Sequence, residues 1–169
     1  MARVSEKIRR KNKPELTIED VMADLSTAAI FKDFLRTIRS ADYINGWAQL
    51  NRVMQIDDLI SRIPHYSQFR WAYIREGAEH ELHLDTDLRT QTMETKIPSN
   101  ELLETLRNAI VNALMDGYIQ MITNPEWRKR LKSGSPPRWA KRHTLGKVSR
   151  RDSDELLIQA FRENIESKV

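Results

Sequence analysis

The longest amphipathic stretch of the chain is PSNELLETLRNAIVNALMDGYIQMI, residues 98–122. Its apolar residues recur at intervals of three and four, the spacing of one face of an α-helix. The Pro-Ser-Asn-Glu opening is typical of a helix N-terminus. The predicted buried face consists of Leu103, Leu106, Ile110, Val111, Leu114, Tyr118, Met121 and Ile122. This stretch therefore predicts the longest helix of the chain.

The same spacing recurs on both sides of this stretch, whereas the signals for strands are weak. Only five of the 169 residues are Gly. Polar residues that can cap a helix precede the apolar runs; the predicted caps are Thr17, Ser26 or Thr27, Ser40, Asp85 and Asn124. Pro64 is predicted to end a short helical segment, and Gly134 the helix that begins at Pro125. The fold class is therefore predicted to be all-α, a bundle of roughly eight or nine helices.

Charge is unevenly distributed along the chain, although the net charge is only +4. Residues 1–13 carry a net charge of +5 and residues 132–151 carry +7. Between them, residues 14–131 carry −5, and residues 152–169 carry −3. The folded body is therefore expected to be mildly acidic, which argues against nucleic acid as its partner.

These shifts predict four segments. A basic N-terminal segment covers residues 1–13, and the helical domain covers residues 14–133. The Gly-Ser-Pro-Pro run then opens a basic linker over residues 134–151, followed by an amphipathic helix over residues 152–169. Because the linker lacks a sustained apolar period, a chain that ends near Ser133 is predicted to fold by itself.

Motifs for chemistry are largely missing. The chain contains no Cys, which excludes a disulfide scaffold, a thiol nucleophile and a Cys-ligated zinc site. It also lacks the common phosphate-binding and hydrolase motifs. Residues 79–85, EHELHLD, are the densest group of potential metal ligands, but two His without a further ligand rarely hold zinc. We expect an exposed interface loop there, and neither a metal, a cofactor nor an enzymatic activity of the chain's own.

The two basic ends suggest contact with phosphates, against the alternative of solvated ends. The candidate contacts with a membrane or phosphate are Arg138, Trp139, Lys141 and Arg142. Trp47 and Trp127 lie on apolar helix faces and are predicted to belong to the core. Without an apolar run of membrane-spanning length or a signal-peptide pattern, we expect a cytoplasmic protein. Peripheral membrane binding through the basic ends stays open as the alternative to solvated ends.

Four blocks of the sequence resemble the regulator of G-protein signalling (RGS) domain. Residues 25–35, LSTAAIFKDFL, resemble the family's first block, an aromatic residue followed by Phe-Leu. Residues 40–47, SADYINGW, resemble its Ser-x-Glu-Asn-Leu-x-Phe-Trp signature, and residues 81–89, ELHLDTDLR, its Val-Asn-Ile-Asp-x-x-x-Arg loop. Residues 113–118 and 124–131 resemble its long helix and the aromatic-x-x-x-Leu element that follows. The order and separations match over residues 25–133.

The resemblance implies an RGS-like helical bundle with no catalytic residue of its own. Such a domain binds the switch regions of a GTP-loaded G-protein α subunit (Gα) and stabilises their transition-state conformation. The residues that the resemblance assigns to the partner surface are Asp42, Tyr43, His83, Leu84, Asp85, Arg89, Met121, Pro125 and Lys129.

Several of these positions depart from the family pattern. Asp42 and Tyr43 replace its Glu-Asn pair, His83 replaces its loop Asn, and Pro125 replaces an acid, whereas Lys129 keeps the basic character. We therefore expect a domain that docks on Gα and has weakened capacity as a GTPase activator. The alternative is a scaffold domain that docks an amphipathic peptide from a partner other than Gα.

Overall fold

A computed structural model describes residues 16–144 and 157–162, with side chains described through Lys141 and again over residues 157–162. Residues 16–144 form eight α-helices, and the described residues contain no strand, which confirms the all-α prediction. The helices are α1 (Ile18–Ala23), α2 (Leu25–Thr37), α3 (Ala41–Met54), α4 (Leu59–Phe69), α5 (Thr86–Glu94), α6 (Asn100–Thr123), α7 (Pro125–Ser133) and α8 (Arg138–Thr144). A π-helical turn, Arg70–Ile74, extends α4. Residues 157–162 are also helical.

Three predicted features lie outside the described residues. They are the basic segment 1–13, the part of the linker from residue 145 onward, and both ends of the C-terminal helix. Arg142 belongs to α8, but its side chain is also outside the described part. None of the described helices is long and apolar enough to cross a lipid bilayer.

Local capping sets most of the helix starts. Thr17 and Asp20 form a reciprocal capping box at α1, in which each side chain accepts from the other's backbone N–H. The predicted cap of α2 was wrong: Asp24 caps this helix, and its carboxylate accepts from the backbone N–H of Thr27 at 3.0 Å. Thr27 is already inside α2, where its hydroxyl donates to the carbonyl of Val21 at 2.9 Å. The carboxylate, one turn earlier, therefore takes the capping role.

Pro64 does not end a helix, contrary to the sequence prediction. Asp58 caps α4, and the helix runs through Pro64 to Phe69. A proline inside a helix deprives the carbonyl four residues earlier of its donor. Here that carbonyl belongs to Ile60, a residue that is 77% exposed, so water can donate to it instead.

The core forms around α6, which packs along α3 and is flanked by α2 and α7. Six of the eight predicted core residues on α6 are buried, while Val111 and Ile122 lie at its margin. Gly117 permits a close approach of α2, since a Cβ atom at this position would lie 2.7 Å from Leu35 Cδ2. The spacing along residues 98–122 therefore predicted the core face of the longest helix correctly.

Residues 138–144 are helical, so the predicted linker does not extend over them. Trp139 packs on α2, where its indole Nε1–H donates to Asp33 Oδ1 at 2.9 Å. The side chains of Lys32 and Arg36 lie over the Trp139 ring, and Ala140 is 2% exposed. These contacts hold α8 against the helical domain despite its basic composition.

Part of the segment 157–162 also packs on the core, beyond the predicted end of the helical domain at Ser133. Leu157 is fully buried and Phe161 is 8% exposed. The Phe161 ring lies 6.2 Å from the ring of Trp47, centroid to centroid. Trp47 itself is half-buried rather than enclosed, because it also lines an open cavity of about 470 Å³ beside Phe161. The C-terminal segment therefore covers a face of α3 that the domain alone would leave exposed.

Candidate partner-binding surface

Two of the sequence blocks that resemble the RGS domain meet at the start of α3. The loop between the π-helical turn and α5, residues 75–85, lies against the first turn of α3. The backbone N–H of His83 donates to the Tyr43 hydroxyl at 3.2 Å. The imidazole Nδ1 of His80 donates to Asp42 Oδ1 at 2.9 Å. Residues about 40 positions apart in the chain are thereby joined by two hydrogen bonds.

An ion pair between the loop and α5 helps to hold the loop in place. The Arg89 guanidinium contacts the Glu81 carboxylate at 2.6 Å and donates to the carbonyl of Leu82 at 3.0 Å. Glu81 also accepts from the backbone N–H of Gly77 at 2.9 Å. The Gly77 hydrogen bond and, next, the Arg89 contact hold the pKa of Glu81 below its ordinary value. Arg89, predicted as a partner contact, is thus engaged inside the protein and positions the loop.

Leu82 anchors the middle of the loop on α3. It is fully buried, and its backbone N–H donates to the carbonyl of Tyr73 at 2.8 Å. The loop can approach because α3 carries Gly46 here: a Cβ atom on Gly46 would lie 2.9 Å from Leu82 Cδ1. Asp85 then ends the loop by capping α5, as predicted, with its carboxylate accepting from the N–H of Asp87 at 3.0 Å.

Burial separates the predicted partner contacts into accessible and inaccessible residues. His83 and Asp85 are exposed, whereas Leu84 is half-buried and packs against the core. Met121 is fully buried on the inner face of α6, so its side chain is not accessible to a partner in this conformation. The helical period explains this position, because Met121 follows Leu114 and Tyr118 on the stripe that faces the core.

A cavity of about 200 Å³ opens beside Tyr43, between the end of α2, the start of α3 and one side of α6. Its polar lining includes Ser40, Asp116 and Gln120. Asp116 and Gln120 were not predicted as site residues, although their spacing of four on the longest helix places both on one side of it. We call the group formed by Ser40, Asp42, Tyr43, His80, His83, Asp116 and Gln120 the Tyr43–His83 surface.

A buried tyrosine, Tyr73, lies beneath this surface. Tyr73 is 4% exposed, and its ring lies 6.1 Å from the imidazole of His80, centroid to centroid. Burial, and to a lesser extent the nearby charge of Asp42, raises the pKa of Tyr73 to about 12. The Tyr73 side chain is therefore uncharged at neutral pH, and its ring packs beside the imidazole of His80.

Pro125 and Lys129 lie on α7 and line a different cleft, of about 360 Å³, with Ile122, Arg128 and Lys132. Neither Pro125 nor Lys129 lines the cavity beside Tyr43. The structure thus brings Asp42, Tyr43 and His83 together, whereas Pro125 and Lys129 lie in a separate cleft on α7.

The loop with the predicted metal-ligand cluster has another role in the structure. His80 pairs with Asp42, while the side chain of His83 is exposed. Across the described residues, no group of three or more His, Asp or Glu side chains is arranged to hold a metal ion. The sequence signal in residues 79–85 thus corresponds to contacts between the loop and α3.

The candidate membrane contacts on α8 are only partly accessible. Arg138 and Lys141 are exposed, but the Trp139 indole is engaged by Asp33 and α2. In this conformation the hydrogen-bonding group and the ring of Trp139 already have partners within the protein.

No protein-family model matches this chain, and no curated protein matches it either. The resemblance to the RGS domain consequently rests on the sequence blocks themselves and on the residues quoted for them.

Proposed function

We propose that this chain is an RGS-like interaction domain that docks on a Gα subunit through the Tyr43–His83 surface. The observation that carries the proposal is the hydrogen bond between the His83 backbone and the Tyr43 hydroxyl. It joins two segments to which the family resemblance independently assigns the partner contact. An all-helical scaffold with a polar, partly concave surface at this junction is compatible with binding a loop of another protein.

The chemistry proposed for this surface is stabilisation of a partner's catalytic conformation. A domain of this type contributes hydrogen bonds that hold the partner's switch regions and its catalytic glutamine in place. His83, at the position of the family's Asn, presents an exposed imidazole whose donor and acceptor lie on different ring atoms. Tyr43 already accepts a hydrogen bond from the loop. Both differences reduce the hydrogen bonds available to Gα.

The expected loss of activation is large. Each hydrogen bond lost to a buried partner group costs about 1–3 kcal/mol. Two such losses correspond to roughly one to four orders of magnitude in activation. We therefore propose binding as the main function, with weak stimulation of GTP hydrolysis.

The experiment is a binding measurement with purified full-length chain and Gα loaded with GDP or with GDP and aluminium fluoride. We expect tighter binding to the aluminium fluoride form and at least a several-fold loss of affinity for His83→Ala. The matched control is Lys96→Ala, an exposed residue on the loop between α5 and α6. Failure of the chain to bind any Gα class in either form would refute the proposal.

The alternative, docking of an amphipathic peptide in a helical groove, has less support. The groove beside Trp47 is lined in part by Ala160 and Phe161 of the chain itself. A peptide from a partner would have to displace this segment or share the groove with it. The accessible polar surface around Tyr43 therefore favours the first proposal.

A further inference from the structure

The cleft on α7 combines cationic and apolar side chains. Arg128, Lys129 and Lys132 line it together with Pro125 and Ile122. Their spacing along α7 places the three cations on one face of the helix, next to the end of α6. We call this feature the basic cleft. It encloses about 360 Å³, enough for a phosphate-bearing head group.

Positive charge extends beyond the cleft. Arg130, Arg138 and Lys141 are exposed on α7 and α8, as are the three cations of the cleft. Glu126 is the only acidic residue between residues 125 and 141, and it does not line the cleft. Residues 125–141 therefore carry a net charge of +5, in contrast to the acidic balance of the helical domain as a whole.

Packing holds this charged surface in place. The Trp127 ring lies 5.4 Å from the Phe34 ring, centroid to centroid, and fixes α7 on α2. The Arg130 guanidinium lies over the Trp127 ring, 4.3 Å from its centroid. Trp139, on α8, is occupied by its contacts with α2. Both Trp rings are thus covered, so neither offers the exposed aromatic platform on which nucleic-acid bases stack.

An exposed aliphatic side chain adjoins the basic cleft. Ile119 is 49% exposed on α6 and lies one helical turn before Ile122, which lines the cleft. Cations beside an exposed aliphatic residue suit a lipid bilayer, whose head groups carry phosphate and whose interfacial region accepts apolar side chains. A nucleic-acid backbone would make no use of Ile119.

We propose that the basic cleft and Ile119 form a binding surface for a bilayer containing anionic phospholipids. The cations contact the head-group phosphates and Ile119 enters the interfacial region. The basic cleft shares no residue with the Tyr43–His83 surface, so this inference does not depend on the proposed function. Near an anionic membrane each Lys or Arg contributes about fivefold in affinity, and the contribution falls as salt is raised.

The test is co-sedimentation of the full chain with vesicles of phosphatidylcholine alone or of phosphatidylcholine with phosphatidylserine. We expect binding only to the anionic vesicles. Combined substitution of Lys129→Gln and Lys132→Gln is expected to lower the affinity roughly thirtyfold, about fivefold per residue. The matched control combines Arg75→Gln and Lys96→Gln, which removes the same charge from exposed positions outside α7. This control is expected to bind nearly as the unmodified chain does, and unchanged thermal melts exclude misfolding.

A variant at Ile119 distinguishes binding to a bilayer from binding to other polyanions. Ile119→Ser is expected to lower vesicle binding several-fold and to leave binding to heparin, a polyanion without an apolar interior, unchanged. Equal losses in the α7 variant and its control would refute the basic cleft as the site. Absence of binding to anionic vesicles at low salt would refute the proposal, as would an Ile119→Ser variant that binds vesicles unchanged. Tighter binding to duplex DNA or RNA than to vesicles would assign the surface to nucleic acid instead.

Discussion

Replacement of Phe161 by Ala tests whether the C-terminal segment completes the fold. Deletion of a large buried aromatic side chain usually costs about 3–5 kcal/mol. Phe161 is 8% exposed and borders a cavity that is open to solvent, so water can fill part of the space left behind. We therefore expect a loss of about 3 kcal/mol in the free energy of unfolding, at the lower end of that range. For a chain of this length the melting temperature should fall by roughly 6–12 °C.

The assay is equilibrium unfolding in urea, followed by circular dichroism, with thermal melts in parallel. Gln159→Ala is the matched control, because Gln159 is a half-buried residue on the same helical segment. Its effect should stay within about 0.5 kcal/mol, the usual range for peripheral substitutions. A chain that ends at Ser133 loses α8 as well as Phe161 and should show a much weaker or no cooperative transition.

The opposite result would refute the reasoning. A Phe161→Ala effect below about 1 kcal/mol, together with an unchanged transition in the chain ending at Ser133, would show that the segment contributes little to stability. The domain would then end at Ser133, as the composition of the sequence alone predicted.

Three further predictions concern the groove, the partner surface and the loop. Trp47→Ala should lower the free energy of unfolding, measured in urea, by about 2–3 kcal/mol, less than the loss of an enclosed Trp would. A double-mutant cycle with Phe161→Ala should show a coupling energy of about 0.5–1.5 kcal/mol between the two rings. Additive effects would contradict the ring contact. The unmodified chain should stimulate common Gα subunits little in single-turnover GTPase assays, and Tyr43→Asn combined with His83→Asn should raise that stimulation; robust activation by the unmodified chain would contradict the argument from these contacts. Glu81→Gln should reduce stability at neutral pH, and its difference from the unmodified chain should shrink as pH falls below the ordinary Glu pKa of 4.5 and through the lowered pKa of folded Glu81, because protonation removes the same contacts. A difference independent of pH would rule out this linkage.

The interactions that the sequence alone determined are local. The core face of α6 follows from spacings of three and four residues, and the caps Thr17, Asp85 and Asn124 bind backbone groups within three positions. Such interactions depend only on the helical period and on a side chain next to its own helix end. For this reason the all-α class and most helix boundaries could be predicted from the order of residues.

The candidate site and the packing of the C-terminal segments depend on tertiary contacts. His83 binds Tyr43 across 40 residues, and Trp139 binds Asp33 across 106 residues. The sequence around each residue of these pairs does not indicate its partner. A basic stretch with one Trp is typical of a solvated linker, and two His among acids suggest a metal site. Only the packing of α8 on α2 and of the loop on α3 gives these groups their partners. Burial of Met121 has the same origin, because the proposed partner surface and the core lie on different faces of one helix. The neighbouring helices decide which residues remain accessible.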